Sequence, residues 1–366
     1  MEEPNYYETR LRRLRERMAA RKLAALLVAK PVNVFYLTGF RGSAGMAIVD
    51  SSGVRLLVDP RYTLQAREQT RTVNVEVVEA RDGLLRAAAK ALNGRLGRRA
   101  VGFEESFLTV GEFSALKREA GASVEWRPSR GMIEDLRVTK DEVEIEHLRE
   151  ACRLTSQVFQ EVTREIRPGV SELELAAELD FRMRRKGAEG AAFDSIVASG
   201  RRGALPHASP SSKPLGANEL VIFDLGAILG GYRADLSRTV YLGTPGRRVR
   251  ALYQAVWEAQ EAAINRLRAG VRAEEVDAEA RRRLATRRLG RLFTHSTGHG
   301  VGLEIHERPR VAKGEKTVIP ARAVVTVEPG IYLEAFGGIR IEDTVLVGEA
   351  GTEILTSAPK DAWWTG

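Results

Sequence analysis

The sequence predicts an α+β architecture in two parts. A smaller α/β domain covers residues 1–130, and a larger domain covers 131–366 with an internal pseudo-twofold duplication. Three observations carry this reading. The chain has 366 residues, 43% of them hydrophobic, which is more than one core usually organises. Helix and strand signals alternate up to about residue 125, the mark of an α/β domain. After that point a helix followed by an acidic, glycine-containing strand pair occurs twice.

In the first part, Leu11, Leu14 and Met18 mark an amphipathic helix, and Leu23 to Val28 is a short apolar strand. Gly45–Val49 and Val54–Val58 flank Asp50-Ser51-Ser52-Gly53, which reads as a hairpin turn. Val73–Val78, Ala100–Phe103 and Ala122–Trp126 read as further strands separated by helices, with no phosphate-cradling glycine loop among them. Arg127–Arg137 reads as the linker. Thr139 and Glu142 have the spacing of a capping box for the next helix. That helix carries Val143, Leu148, Ala151, Cys152, Phe159, Val162 and Ile166 on roughly one face and ends at Pro168-Gly169. Cys152 is thereby placed in core packing, not chemistry. The repeat then shows itself. Arg167-Pro-Gly-Val170 precedes a helix with Glu174 and Ala177, and Arg268-Ala-Gly-Val271 precedes one with Glu275 and Ala278 at the same offsets. Two related halves would meet at a cleft, a common place for a site.

Composition excludes several classes. No apolar run approaches the length that spans a bilayer as a helix, so no membrane partner is expected. Met1 to Tyr7 is polar and acidic, without a signal-peptide core. The single cysteine rules out an intramolecular disulfide framework and fits a reducing, cytoplasmic location. The net charge of +8 comes from 57 basic against 49 acidic residues. The basic clusters Arg184–Lys186 and Arg281–Arg283 sit among Glu residues without interleaved aromatics, so no nucleic-acid partner is expected.

The acids of the second part are out of place for a plain core. Leu220 to Gly226 is a buried-type strand interrupted by Asp224, and the return strand Tyr232–Leu242 carries Asp235. A hairpin turning near Leu229–Gly231 sets the two carboxylates close to opposite one another, where they repel. Burying such a charge unpaired costs several kcal/mol as an order of magnitude, and a shared cation removes both penalties. The device recurs in the strand Ala323–Glu328 and the return strand Gly338–Val347, which carries Arg340 and Glu342 on one face and Asp343 on the other. Of the five histidines, His295, His299 and His306 fall within twelve residues. His299 lies in Gly298-His299-Gly300-Val301-Gly302, where the glycines oppose a helix and let backbone come close to a ligand. The spacing is not that of the His-Glu-x-x-His zinc helix.

These residues resemble the creatinase/aminopeptidase P/prolidase metallopeptidase family, the pita-bread fold, and within it the Xaa-Pro peptidase branch. The segments that carry the likeness are Ala204-Leu-Pro-His207, Phe223-Asp-Leu-Gly226, Gly231-Tyr-Arg-Ala-Asp235 with Arg238-Thr239, His295-Ser-Thr-Gly-His-Gly-Val-Gly302 with Ile305-His306-Glu307, Val327-Glu-Pro-Gly330 and Gly338-Ile-Arg-Ile-Glu-Asp343. It spans about residues 130 to 355, and more loosely the first domain through Asn33-Val-Phe-Tyr-Leu-Thr-Gly39 and Val58-Asp-Pro-Arg-Tyr62. The resemblance implies a creatinase-like N-terminal domain and two divalent metal ions. Asp224 would hold one ion, Asp235 and Glu342 would bridge both, and His299 and Glu328 would complete the ligand set of the second ion. His207 and His306 match active-site histidines that do not bind metal, and His295 and Arg340 match substrate-side residues. Ala234 departs from the small polar residue commoner before the second Asp, which touches a supporting hydrogen bond and removes no ligand.

Four carboxylates offset two divalent ions, and an oxygen-dominated set with one imidazole suits Mn²⁺, with Co²⁺ or Zn²⁺ as alternatives. The mechanism this implies is attack of a metal-bridging hydroxide on the scissile carbonyl. Glu328 would handle the water proton, and His306 and His207 would donate to the developing charge. Substrates would be peptides with proline second, since proline has no amide hydrogen to give at that bond. The resemblance also implies a homodimer, with the first domain limiting access to the site. Three readings compete. A methionine aminopeptidase usually lacks the added domain. A creatinase-type small-molecule hydrolase works without these metals. A non-catalytic peptide-binding module on the same fold would have lost ligands, and none is missing.

Overall fold

The computed structural model describes residues 6–70, 74–93, 99–361 and 363–365. The acidic stretch Met1–Asn5 and the expected strand start at Val73 lie outside the described residues. The chain divides into two compact units, Met1–Arg137 and Val138–Gly366.

The first unit is built on a six-stranded mixed sheet. Its order is Val75–Glu79, Val54–Val58, Gly45–Asp50, Ala25–Val28, Ala100–Phe103, Glu125–Pro128. The antiparallel pairing of Gly45–Asp50 with Val54–Val58 is closed by Asp50, whose Oδ1 accepts from Ser52 N at 2.8 Å and Gly53 N at 3.1 Å. That turn is the one read from Asp50-Ser51-Ser52-Gly53, an Asx-type turn in mechanism. Leu27, Ile48, Leu57, Val101 and Leu116 form its core. Two expectations need correction here. The last strand begins at Glu125, not Ala122, because Gly121–Ser123 is a 3₁₀ turn. Arg127–Arg137 is not a free linker: Arg137 is 1% exposed and donates to Asn33 Oδ1 at 2.9 Å.

The second unit repeats one plan twice. The first half has a long helix, Glu142–Thr163, a shorter one, Glu172–Arg185, and an antiparallel sheet of Ile196–Ser199, Glu219–Leu225 and Leu236–Leu242. The second half has Arg247–Arg266, Ala273–Thr286 and a five-stranded sheet ordered Glu307–Val311, Gly298–Gly300, Val324–Val327, Asp343–Val347, Thr352–Ile354. The two shorter helices begin alike, through Ser171 with Glu174 and Arg272 with Glu275. Each half has its own core. Val158, Leu175, Leu179 and Phe223 belong to the first, and Tyr253, Val256, Leu284 and Val325 to the second.

The cap of Glu142–Thr163 is Asp141 with Glu144, not Thr139 with Glu142, because the helix starts two residues later and Asp141 itself accepts from Glu144 N. Val143 is 38% exposed and leaves the buried face, while Cys152 is fully buried in it. Among the described residues, no helix is long and apolar enough to cross a membrane.

Candidate active site

Each half contributes a hairpin that breaks just where its acid stands. Ala227–Leu229 pairs with Tyr232–Arg233, as the predicted turn requires, but the return strand does not run on unbroken. It pauses at Ala234–Asp235 and resumes at Leu236, with Leu225 facing Leu236 and Asp224 facing Ser237. The two backbones run close together there, an approach only glycine permits: a Cβ on Gly226 would lie 1.9 Å from the Ala234 carbonyl oxygen. In the second half the return strand is likewise split, into Gly337–Arg340 and Asp343–Val347, with Ile341 and Glu342 between. The two return segments lie against each other. Glu342 N donates to Ser237 O at 3.1 Å, Arg340 N to Thr239 Oγ1 at 3.0 Å, and Thr344 Oγ1 to Asp235 O at 2.8 Å.

His299 arrives on the short strand Gly298–Gly300, next to Val324–Val327. The glycines do make room, but for neighbouring strands and not for a ligand. A Cβ on Gly298 would be 1.9 Å from Thr326 O, and one on Gly300 2.2 Å from Arg308 O. Glu328 follows directly on Val324–Val327, and its N–H donates to Thr297 O at 2.7 Å.

The result is a cavity of about 680 Å³ whose walls include His207, Asp224, Asp235, His299, His306, Glu328 and Glu342. Asp235, His299 and Glu342 each turn one potential ligand atom to a common point, all within 4.8 Å of one another. His299 Nε2 is 3.5 Å from Asp235 Oδ2 and 3.6 Å from Glu328 Oε1.

Electrostatics say what this cluster is suited to. Burial first, then the neighbouring carboxylates, push the carboxyls of Asp235 and Glu328 well above the usual range; Glu342 rises for the same reasons, led by burial and then Asp224. Burial holds His299 down to about 4, so its ring is neutral at neutral pH. Its Nδ1 donates to Gly300 O at 3.0 Å, which leaves the Nε2 lone pair facing two carboxylate oxygens. Lone pairs facing lone pairs in a buried site repel unless a proton or a metal cation lies among them, and the raised carboxyls are the proton-holding form of the same site. Asp224 adds a second sign: its Oδ2 accepts from Arg340 at 2.6 Å, while its buried Oδ1 has no hydrogen-bond partner. The donor set therefore fits divalent cations.

Asp343, next to Glu342, does not belong to it. Its Oδ1 accepts from Arg238 and Thr356, both at 2.7 Å, and its Oδ2 from Gln260 at 2.8 Å and Lys360 at 2.6 Å. Those cations keep it ionised and fully occupied, in line with its opposite-face placement in the sequence.

His295 and Arg340, the expected substrate-side residues, sit just behind the cavity. Neither lines the cavity, and Arg340 is only 3% exposed. They are joined behind the wall by Tyr332, whose hydroxyl accepts from Arg340 at 2.8 Å and faces His295 Nε2 at 2.9 Å. His295 Nδ1 donates to Ser296 O at 2.8 Å, and burial pushes this histidine down to about 4. Its Nε2 is then an acceptor for the Tyr332 hydroxyl. Arg340 also donates to Ser237 Oγ at 2.8 Å, and Ser237 donates to Glu342 Oε2 at 2.8 Å. Sequence reasoning missed Ser237 and Tyr332. The available signal was period: Ser237 is two residues past Asp235 in a return strand, and Tyr332 follows the Glu328-Pro329-Gly330 strand end.

Comparison with known proteins identifies the family to which this fold belongs. The profile of Metallopeptidase family M24 matches residues 146–349, and the Creatinase/Prolidase N-terminal domain matches residues 10–139. An Xaa-Pro dipeptidase of Pyrococcus horikoshii is 35% identical over 352 residues, covering 96% of this chain and 98% of that protein. Among solved structures, an Xaa-Pro dipeptidase from Bacillus anthracis superposes with a TM-score of 0.93 at 36% identity, covering 98% of this chain and 100% of that one. An X-Pro aminopeptidase from Thermotoga maritima gives 0.89 at 34% identity, covering 97% and 99%. The pita-bread α+β architecture read from the sequence is thus that of solved relatives, and the chain belongs to metallopeptidase family M24, with a creatinase/prolidase N-terminal domain ahead of its catalytic domain.

Proposed function

We propose that the chain hydrolyses the bond between a first residue and a following proline, as an Xaa-Pro dipeptidase or aminopeptidase, using two divalent ions. Asp224, Asp235, His299, Glu328 and Glu342 would hold the ions, Asp235 and Glu342 serving both. The observation that carries this reading is the neutral His299 Nε2 turned toward the oxygens of Asp235 and Glu328, beside the unpartnered Asp224 Oδ1. Mn²⁺ suits this donor set best, with Co²⁺ or Zn²⁺ as alternatives.

Bound ions supply an activated water and polarise the scissile carbonyl. Glu328 accepts the proton that the water loses. His306 and His207, both on the cavity wall, donate to the developing oxyanion and the reacting amide. Arg340 fixes the Asp224 carboxylate through a charge-assisted bond, and His295 fixes Arg340 through Tyr332. A proline ring at the bond asks for no amide-hydrogen acceptor, and the cavity offers Phe193, Ile196, Ala176 and Leu173 as apolar wall. We place the enzyme in the cytoplasm, where its one cysteine, buried and with its thiol pushed up to about 12, stays reduced and inert.

Purified protein, freed of metal by a chelator and then reloaded with Mn²⁺, is expected to lose and regain cleavage of Xaa-Pro dipeptides or of longer Xaa-Pro peptides. A binding module or a creatinase-type hydrolase would show no such metal-dependent peptide cleavage, and its absence across both panels overturns the reading. The same panels separate dipeptidase from aminopeptidase. We further infer a homodimer, the commonest closed assembly. Light scattering at micromolar concentration should give twice the 40.4 kDa of one chain, and a monomer would refute it.

A further inference from the structure

We propose that a buried ion pair, Lys140 with Glu307, is the positioning element that sets His306 beside the carboxylate cluster. The idea goes beyond the choice of ligands but rests on reading the cavity as a peptidase site. Lys140 Nζ lies 3.0 Å from Glu307 Oε2, and the two side chains are only 1% and 5% exposed. Neither residue lines the cavity, so both would act from behind its wall.

Both ends of the pair are anchored. The Lys140 N–H donates to Arg322 O at 2.9 Å, and Arg322 Nε returns a bond to Lys140 O at 2.7 Å. Arg322 N donates in turn to Val347 O at 2.7 Å, at the end of a strand beside Val324–Val327, the strand that leads into Glu328. The ammonium is therefore held by the sheet that presents a candidate ligand. On the other side, the loop from Gly302 to Glu307 folds round one carboxylate. Glu304 N donates to Glu307 Oε1 at 3.1 Å, and a Cβ on Gly302 would come within 2.7 to 2.9 Å of the carboxylate atoms. Gly302 N donates to Glu304 O at 3.1 Å, and Gly302 O accepts from Arg233 N at 2.8 Å. His306 is the residue directly before that carboxylate, and its ring meets the His299 ring edge-on with centroids 4.4 Å apart.

Stability alone does not account for such a pair, since well-packed apolar side chains in the same space are often as stable as a buried ion pair or more so. What the ions add is direction. The Lys140 ammonium pulls the Glu307 carboxylate inward, the carboxylate gathers the Gly302 and Glu304 backbone, and the loop then has one place for His306. An organising carboxylate is needed there because the loop has no regular secondary structure of its own to fix it.

The test is the double variant Lys140→Met/Glu307→Gln, which removes both charges together and leaves neither orphaned. In Mn²⁺-loaded protein, kcat should fall by about 10- to 100-fold through misplacement of His306, with KM little changed. Metal content and melting temperature should stay near wild type. In Zn²⁺-loaded, isotope-labelled protein, the His306 ring signals, assigned by their loss in His306→Gln, should shift or broaden while those of His295 stay in place. Lys140→Arg, which keeps the charge, should recover most of kcat. A folded, metal-loaded double variant with wild-type kcat and unmoved His306 signals overturns the proposal. So does a loss of metal and melting temperature in step with kcat, which would make the pair purely structural. If the wild type cleaves no Xaa-Pro peptide, the functional reading fails, while the His306 signals still decide the positioning role.

Discussion

Glu342→Ala should lose at least one ion per chain and nearly all peptidase activity. Glu342 is 1% exposed, sits where the two return strands cross, and holds one ligand atom within 4.8 Å of those of Asp235 and His299. If Glu342 serves both ions, as proposed, its removal should weaken both sites. Lewis-acid stabilisation by a metal is worth several kcal/mol, so the rate should fall by roughly 10³-fold or more. Elemental analysis showing full metal occupancy in the variant would overturn the ligand assignment. Stability offers an independent reading in the chelated protein. The Glu342 carboxyl is pushed up to about 8, by burial first and Asp224 second. A group raised in the folded state contributes stability below its unfolded pKa and loses it as pH rises through the folded one. Metal-free wild type should therefore weaken between about pH 4.5 and pH 8. Glu342→Gln, which cannot ionise, should flatten that slope, and loading with Mn²⁺ should abolish or reverse it. Identical pH profiles of melting temperature for both metal-free proteins would mean that this carboxyl is not strained by the cluster.

Four of the five candidate ligands stand out in the sequence because each breaks a rule that a plain core obeys, while Glu328, at a strand end, came from the family resemblance alone. Asp224 interrupts an apolar strand, Asp235 and Glu342 stand in return strands opposite further acids, and His299 is bracketed by glycines. Local pattern could expose those anomalies, since they concern what a strand can bury. It could not expose what other backbones impose. The pauses at Ala234–Asp235 and Ile341–Glu342 were read as continuous strand because nothing local signals them; in the first, the Ala234 carbonyl stands against Gly226, a residue from the opposite strand. The same limit explains the glycines beside His299, whose missing side chains accommodate Thr326 and Arg308 backbone. Ser237 and Tyr332 carry no type-specific signal, as serine and tyrosine occur on any strand. Their importance lies in bonds to Arg340, 103 and 8 residues away. Arg340 itself was found, but its burial behind Asp224 was not, because only three dimensions show that the guanidinium points at a carboxylate and not into the cavity. The cap of Glu142–Thr163 went astray for a humbler reason: Thr139 with Glu142 and Asp141 with Glu144 both satisfy the spacing, and the buried face that would choose between them begins at Glu144 and Ile145.

His306→Ala should keep its metal and lose activity. His306 lines the same cavity as the carboxylates, yet the converging ligand atoms are those of Asp235, His299 and Glu342, so removing its ring takes away no donor from that group. Burial lowers its proton affinity, so at neutral pH the ring is neutral, with one N–H to give and one lone pair. A neutral donor next to a developing oxyanion stabilises the transition state more than the ground state, and losing such a donor typically lowers kcat by about 10²- to 10³-fold. The expected signature is a fall of that size in kcat and kcat/KM together, with KM nearly constant and metal content unchanged. His207→Ala should follow the same pattern less severely, since His207 comes from the segment after the 3₁₀ turn Gly200–Ala204 and is not packed against His299 as His306 is. The pair also separates two explanations of any lost rate. Were the histidines there to hold the fold, melting temperature would drop with kcat; were they ligands, metal content would drop. Near-wild-type kcat in both metal-loaded variants would return them to structural residues and leave the carboxylates and His299 to do the chemistry alone.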